Sequence, residues 1–220
     1  MLDISRKRAS TTAEKAHTLE NLERRHMYWK EPYPLGMVGV DIDKVIDIDK
    51  ASFKLEATNR NFGYIVREQL CNDTGVYGRG EKVTLLKGIC SDRNIGQRWF
   101  ECWEHGGTTI DRFADFIELI LDDLRQNFQG QKFIFTMDNL NVHKNSMVVA
   151  MIAAEGHGLV FRAPYWPVDG AIEYVFNTIH MHLMEYYNRI KTLDELKNRL
   201  ILIIGQMQTF HRYFCHVGFR

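Results

Sequence analysis

Hydrophobic and polar positions along this chain repeat with two different periods, and the change of period divides it. Residues 13–31, AEKAHTLENLERRHMYWKE, space apolar positions among many charges, which predicts an amphipathic helix that ends before Pro32. In KVIDIDKASF the period is two: Val45, Asp47 and Asp49 share one face, Ile46 and Ile48 the other. NFGYIVRE, KVTLLKGICS and QRWFECWE read as further strands, and GVYGRGE as a Gly-rich turn between two of them. The period then lengthens. Apolar residues at 110, 113, 116, 117, 120, 121 and 124 form a helical stripe, with Thr109 or Asp111 near its cap and Gly130 as its stop. KFIFTMD predicts a short buried strand, SMVVAMIAAE a helix closed by Gly156, and GLVFRAP a strand closed by Pro164. Helical patterning returns from about Gly170 to Ile190 and from Thr192 to about His211.

This order is several front strands, then helix, strand, helix, strand, helix, helix. The front strands suit an antiparallel meander, and the alternating tail implies parallel strands with right-handed crossovers. The expected fold is α/β: a ribonuclease-H-like mixed sheet, antiparallel in front and parallel later, flanked by helices. Residues 1–38 read as an N-terminal tail and a linker-like helix, and residues 39–220 as one domain.

Composition narrows the classes. Of 220 residues, 45% are apolar, enough for a core. Lys plus Arg equals Asp plus Glu at 28 each, so contact with nucleic acid has to come from a local patch. Arg6-Lys7-Arg8 is such a patch, read either as a solvated tail or as a DNA-contacting or nuclear-import arm. Four scattered cysteines without a CxxC pair point to a reduced, intracellular protein and away from a disulfide framework or zinc module. The aliphatic run Leu200–Ile204 is too short to cross a membrane, and the first ten residues lack the apolar stretch of a signal peptide.

Three acidic residues stand at element ends where chemistry can use them. Asp49 is read as the end of the first strand, Asp138 as the end of a buried strand, and Glu173 as the start of a helix. If the first strand and the Asp138 strand are neighbours, the two aspartates sit side by side and the helix brings Glu173 across. Three carboxylates at one point repel each other, and a hard divalent cation removes that penalty. Each residue also has a bland reading: Asp138-Asn139 is a common turn pair, and Glu173 in a first helical turn suits the helix dipole.

Three segments carry a resemblance. IDIDKASF, MDNLNVHK and PYWPVDGAIEYVF resemble the three conserved blocks of the catalytic domain of mariner-type DDE transposases and their insertion-sequence relatives. The 34 residues between Asp138 and Glu173 match the group's spacing, FHRYFCHVGF resembles its closing segment, and the resemblance runs over about residues 40–219. It implies a DDE catalytic domain over 39–220 that cuts and joins DNA phosphodiesters. Asp49, Asp138 and Glu173 would ligate Mg²⁺ or Mn²⁺, as two ions. Asp47, on the same strand face, is the rival to Asp49. Asn139, His143, Asn177 and His180 would support the ligands or touch phosphate, with His143 alternatively a local hydrogen-bonding residue and His180 a half-buried one.

The chain departs from the family at Lys50, where a second acid is usual, and at Gly170-Ala171, where Asn-Pro is usual. The implied partners are transposon-end and target DNA, with a homodimer and no membrane. The implied location is intracellular, nuclear in a eukaryotic host. About 40 residues precede the first block, too few for the family's end-recognition region, so a fragment, a degenerate copy or a domesticated derivative is expected. The alternatives are a catalytically inactive, transposase-derived interaction module and a cellular nuclease of ribonuclease-H type.

Overall fold

A computed structural model of the chain describes residues 14–55, 80–92, 94–95, 99–186 and 189–219. The expected strand at NFGYIVRE, most of the Gly-rich turn, Cys71 and the Arg6-Lys7-Arg8 cluster lie outside the described residues. The described chain runs α1 (Leu19–Lys30), β1 (Val45–Lys54), β2 (Lys82–Cys90), β3 (Phe100–Trp103), α2 (Ile110–Asn127), β4 (Ile134–Met137), α3 (Ser146–Ala154), β5 (Gly158–Phe161), α4 (Ala171–Met184), α5 (Leu193–Gln206) and α6 (His211–Val217).

The strands form one sheet in the order β3-β2-β1-β4-β5. β3, β2 and β1 pair antiparallel, whereas β1 with β4 and β4 with β5 pair parallel. This is the mixed, ribonuclease-H-like sheet that the order of periods predicts. The alternation read in β1 decides its two faces. Ile46 and Ile48 pack with Phe113, Phe116, Ile117 and Ile120 of α2 and with Val148 and Ile152 of α3. Val45 and Phe53 face the other way, against Ile172, Val175 and Ile179 of α4, Leu200 of α5 and Phe214 of α6. Asp47 and Asp49 therefore project toward the α4 side from positions that are otherwise core. On that same face Lys87 is the cross-strand partner of Asp49; its ammonium lies 5.0 Å from the Phe210 ring, and burial pulls it down to about 7.

Helix ends follow local chemistry. Thr109 caps α2 by accepting from the Arg112 amide, and Asn145 caps α3 by accepting from the Met147 amide. Thr192 and Glu195 form a reciprocal capping box at the start of α5. The helical pattern read from Thr192 to His211 is two helices: α5 stops at Gln206, Met207 is extended, and α6 begins at His211. The N-terminal segment is bound to the sheet. Tyr28 of α1 is buried in the α4-side core, and its hydroxyl is 3.0 Å from that of Thr136 in β4.

Candidate active site

The parallel ladder between β1 and β4 aligns Asp47 with Thr136 and Ile48 with Met137, so one further step sets Asp49 beside Asp138. Glu173 lies in the first turn of α4, which packs across the same face of β1. Asp138, Asn139, Arg162, Tyr165, Trp166 and Glu173 border an open cleft of about 360 Å³. The three carboxylates singled out in the sequence thus come from three elements and meet at one end of the sheet.

The two β1 aspartates have different surroundings. Asp47 is buried, and both of its oxygens are engaged: Oδ2 accepts from the Ile172 amide at 3.0 Å, and Oδ1 meets the Arg162 guanidinium. It ties the first turn of α4 to the sheet. Asp49 accepts from Arg162 Nη2 at 2.7 Å through Oδ2 and from the Lys50 amide at 2.7 Å through Oδ1. Asp49 also lies near enough to Asp138 and Glu173 to repel both.

Sequence reasoning missed Arg162. It follows β5 directly, its amide extends the ladder to the Met137 carbonyl at 2.9 Å, and its guanidinium, 2% exposed, bridges Asp47 and Asp49. Gly170 makes room for it. A Cβ at that position would stand 2.9 Å from Arg162 Cζ, and here the family's usual Asn would clash. The signal was a lone arginine closing the apolar run of GLVFRAP, a charge that no half-buried strand end needs.

His143 is fully buried against Phe113, ring centroids 4.5 Å apart, with Nδ1 2.5 Å from Asp138 Oδ1. The Leu140 amide donates to the same oxygen. Asn139 donates through its side-chain amide to the Arg162 carbonyl, steadying the residue that bridges the β1 aspartates. Asn177 and His180 continue the Glu173 face of α4 by one and two turns, Asn177 exposed and His180 half-buried. Among the described residues no hydrogen bond or ion pair joins either to the carboxylates.

Burial is the largest influence on the acids, and their neighbours modulate it. It raises Asp47 to about 6 against the pull of Arg162. It also raises Asp49, with Asp138 adding repulsion, and it raises Glu173 to about 7, with Asp49 the next cause. Asp138 ends below its ordinary value: burial pushes it up, but His143, the Leu140 amide and Arg162 together outweigh that. Three mutually repelling carboxylates without a soft ligand fit a hard divalent cation such as Mg²⁺ or Mn²⁺. Among the described residues, no three acidic, histidine or cysteine side chains stand close enough to hold an ion as they are.

The loop over the cleft is pinned from the N-terminal side. Arg25 of α1 makes two 2.7 Å bonds to Asp169, and its guanidinium lies 4.0 Å from the Trp166 ring centroid. Trp166 Nε1 donates to the Ala16 carbonyl at 3.2 Å. Just before Trp166, Tyr165 sits at φ 65°, a left-handed conformation that costs a non-glycine residue about 1–3 kcal/mol.

The sequence pattern of the family described as DDE superfamily endonuclease matches residues 44–197. No curated protein matches the chain. Among solved structures, the Mos1 mariner paired end complex with Mn superimposes with a TM-score of 0.76 at 16% identity, over 99% of this chain and 63% of that one. The Mos1 Strand Transfer Complex does so with a TM-score of 0.69 at 16% identity, over 98% and 62%. The Mos1 transposase catalytic domain with Raltegravir and Mn gives 0.61 at 14% identity, over 91% and 88%. At such identities the likeness is one of fold, and this chain spans under two thirds of the longer Mos1 chains it matches.

Proposed function

The chain belongs to the DDE superfamily endonucleases, and we propose that it is a mariner-type transposase catalytic domain, a divalent-metal-dependent enzyme that cuts and joins DNA phosphodiesters. The observation that carries this reading is that Asp138 and Glu173, from the end of β4 and the start of α4, line one cleft inside the family match, with Asp49 of β1 close enough to repel both.

In this reading Asp49, Asp138 and Glu173 are the metal ligands and Mg²⁺ or Mn²⁺ the cofactor, two ions being the number the resemblance implies. A bound divalent cation supplies Lewis acidity to a phosphoryl oxygen and lowers the pKa of a water. The protein's share is placement. His143 holds one Asp138 oxygen, which fixes the carboxylate's rotation and keeps it ionised. Asp47 fixes the α4 turn that carries Glu173, so it is a positioning residue rather than a ligand. Asn139 steadies Arg162 through its carbonyl. In cutting, a water oxygen bonds to phosphorus and the P–O3′ bond breaks, leaving a 3′-hydroxyl. In joining, that hydroxyl attacks a second phosphodiester, and one P–O bond forms for each one broken.

Relatives of this fold are solved as paired end and strand transfer complexes. The proposed partners of this chain are accordingly transposon-end and target DNA, bound by a homodimer, with Asn177 and His180 on the α4 face as phosphate contacts. The proposed location is intracellular, the nucleus in a eukaryotic host.

The test is nicking of supercoiled plasmid DNA in Mg²⁺ or Mn²⁺, beside Asp138→Asn and Glu173→Gln. Nicking that both substitutions lower by at least about 100-fold supports the enzyme. A folded wild-type chain that never nicks in either metal would leave the inactive, transposase-derived module in its place.

A further inference from the structure

We propose that Arg162 takes the place of one of the two cations, so that this site binds a single divalent ion through Asp138 and Glu173 while the guanidinium supplies the second positive charge at Asp49. The inference rests on the transposase reading and departs from it in the number of ions and in Asp49, which pairs with Arg162 instead of ligating a metal.

The argument begins with the oxygens available. Both oxygens of Asp47 and both of Asp49 already accept hydrogen bonds, and in each aspartate one goes to Arg162. A guanidinium has only donors and does not lose its proton in proteins, so it cannot share these carboxylates with a metal by titrating away. Nor is Arg162 free to swing aside. Its amide bonds to the Met137 carbonyl, its carbonyl accepts from Asn139, its side chain is 2% exposed, and a Cβ at Gly170 would stand only 2.9 Å from its Cζ. A second dication seated between Asp49 and its neighbours would stand against a fixed like charge in a site shielded from water.

The other two carboxylates are differently placed. Asp138 is 37% exposed and lines the cleft. Glu173 also lines it, and its carboxylate makes no hydrogen bond among the described residues. Asp138 Oδ1 is engaged by His143 and the Leu140 amide, which leaves Asp138 Oδ2 and the Glu173 carboxylate to face an incoming ion, whereas Asp49 faces a buried guanidinium. The planar fork that spans Asp47 and Asp49 is the geometry by which arginine, unlike lysine, holds two oxygen acceptors at once.

Stoichiometry decides it. The full chain is titrated with MnCl₂ by calorimetry, and its electron paramagnetic resonance spectrum is recorded at saturation. One Mn²⁺ per chain with an uncoupled six-line spectrum, lost in Asp138→Asn and in Glu173→Gln, is the expected result. Two Mn²⁺ per chain with an exchange-coupled spectrum would overturn the inference and leave the transposase reading standing. Binding indifferent to both substitutions would remove both readings. In Arg162→Gln the stoichiometry is expected to rise from one to two, with coupling appearing; a folded variant that still takes one ion would also overturn the proposal. If that variant does not fold, the wild-type spectrum alone decides.

Discussion

Asp47 and Asp49 are two residues apart on one strand face, yet their surroundings give them different work. Asp47 has a backbone amide on one oxygen and a guanidinium on the other, with no route to solvent. Arg162 keeps Asp49, but Asp47→Ala leaves the Ile172 amide and one arm of the guanidinium buried without partners, so a loss of about 1–3 kcal/mol in urea denaturation is expected. Asp138→Asn, at the open side of the cleft, should cost far less stability while abolishing metal uptake; equal losses from the two variants would contradict this division of roles. Glu173 gives a pH test. Its folded pKa, about 7, lies above the ordinary value of about 4.3, so between those values the folded chain holds its proton more tightly than the unfolded one. Stability in chelator should therefore fall as pH rises from about 4.5 to about 7, with Asp47 and Asp49 acting in the same sense. Glu173→Gln should flatten the dependence of melting temperature on pH across that window, and an unchanged slope would refute the assignment. The aspartates and Glu173 were legible because they sit in short, characteristic blocks. Arg162 was not, because its partners are 113 and 115 residues away and only the folded sheet brings them to it.

At the level of elements, local signals decided what could be read. The stripe of α2 survives unchanged because it buries one side, and the alternation of β1 survives because its two buried faces meet different partners, aliphatic on the α2 side and carboxylate-bearing on the α4 side. The Thr192–Glu195 box names the start of α5 to the residue. Thr192→Ala should cost about 1 kcal/mol by chemical denaturation. The end of α5 was read too late because apolar residues continue to Phe210, and those belong to the core under α6 rather than to the same helix. The reach of α1 was equally hidden, since Arg25 looks like one more charge on a solvated face. Its bond to Asp169, 3% exposed, makes it otherwise. Arg25→Ala leaves that carboxylate buried without its partner, and a loss of about 1–3 kcal/mol is expected. Hydrogen exchange in α1 and in the 164–170 loop should accelerate together; acceleration in α1 alone would show that the loop does not depend on the clamp.

Across the whole molecule, one sheet separates two cores, and the site lies where the α4-side core opens at the end of β1 and β4. An ion bound only to the folded state stabilises the entire chain. Mn²⁺ at about 100 times its dissociation constant should add about 2.7 kcal/mol to unfolding, and Asp138→Asn should erase that gain. A family match over residues 44–197 invites trimming the protein to those limits. The packing advises against it. Tyr28 fills the core, Trp29 stacks edge-on with Phe219 at 5.2 Å, and Phe214 lies against Phe219 with ring centroids 5.7 Å apart. A recombinant piece cut at 44 and 197 would expose the apolar faces that α1 and α6 cover and free the cleft loop from Arg25. The recognisable stretch and the foldable stretch are different lengths, and expression should begin no later than Glu14 and end no earlier than Phe219.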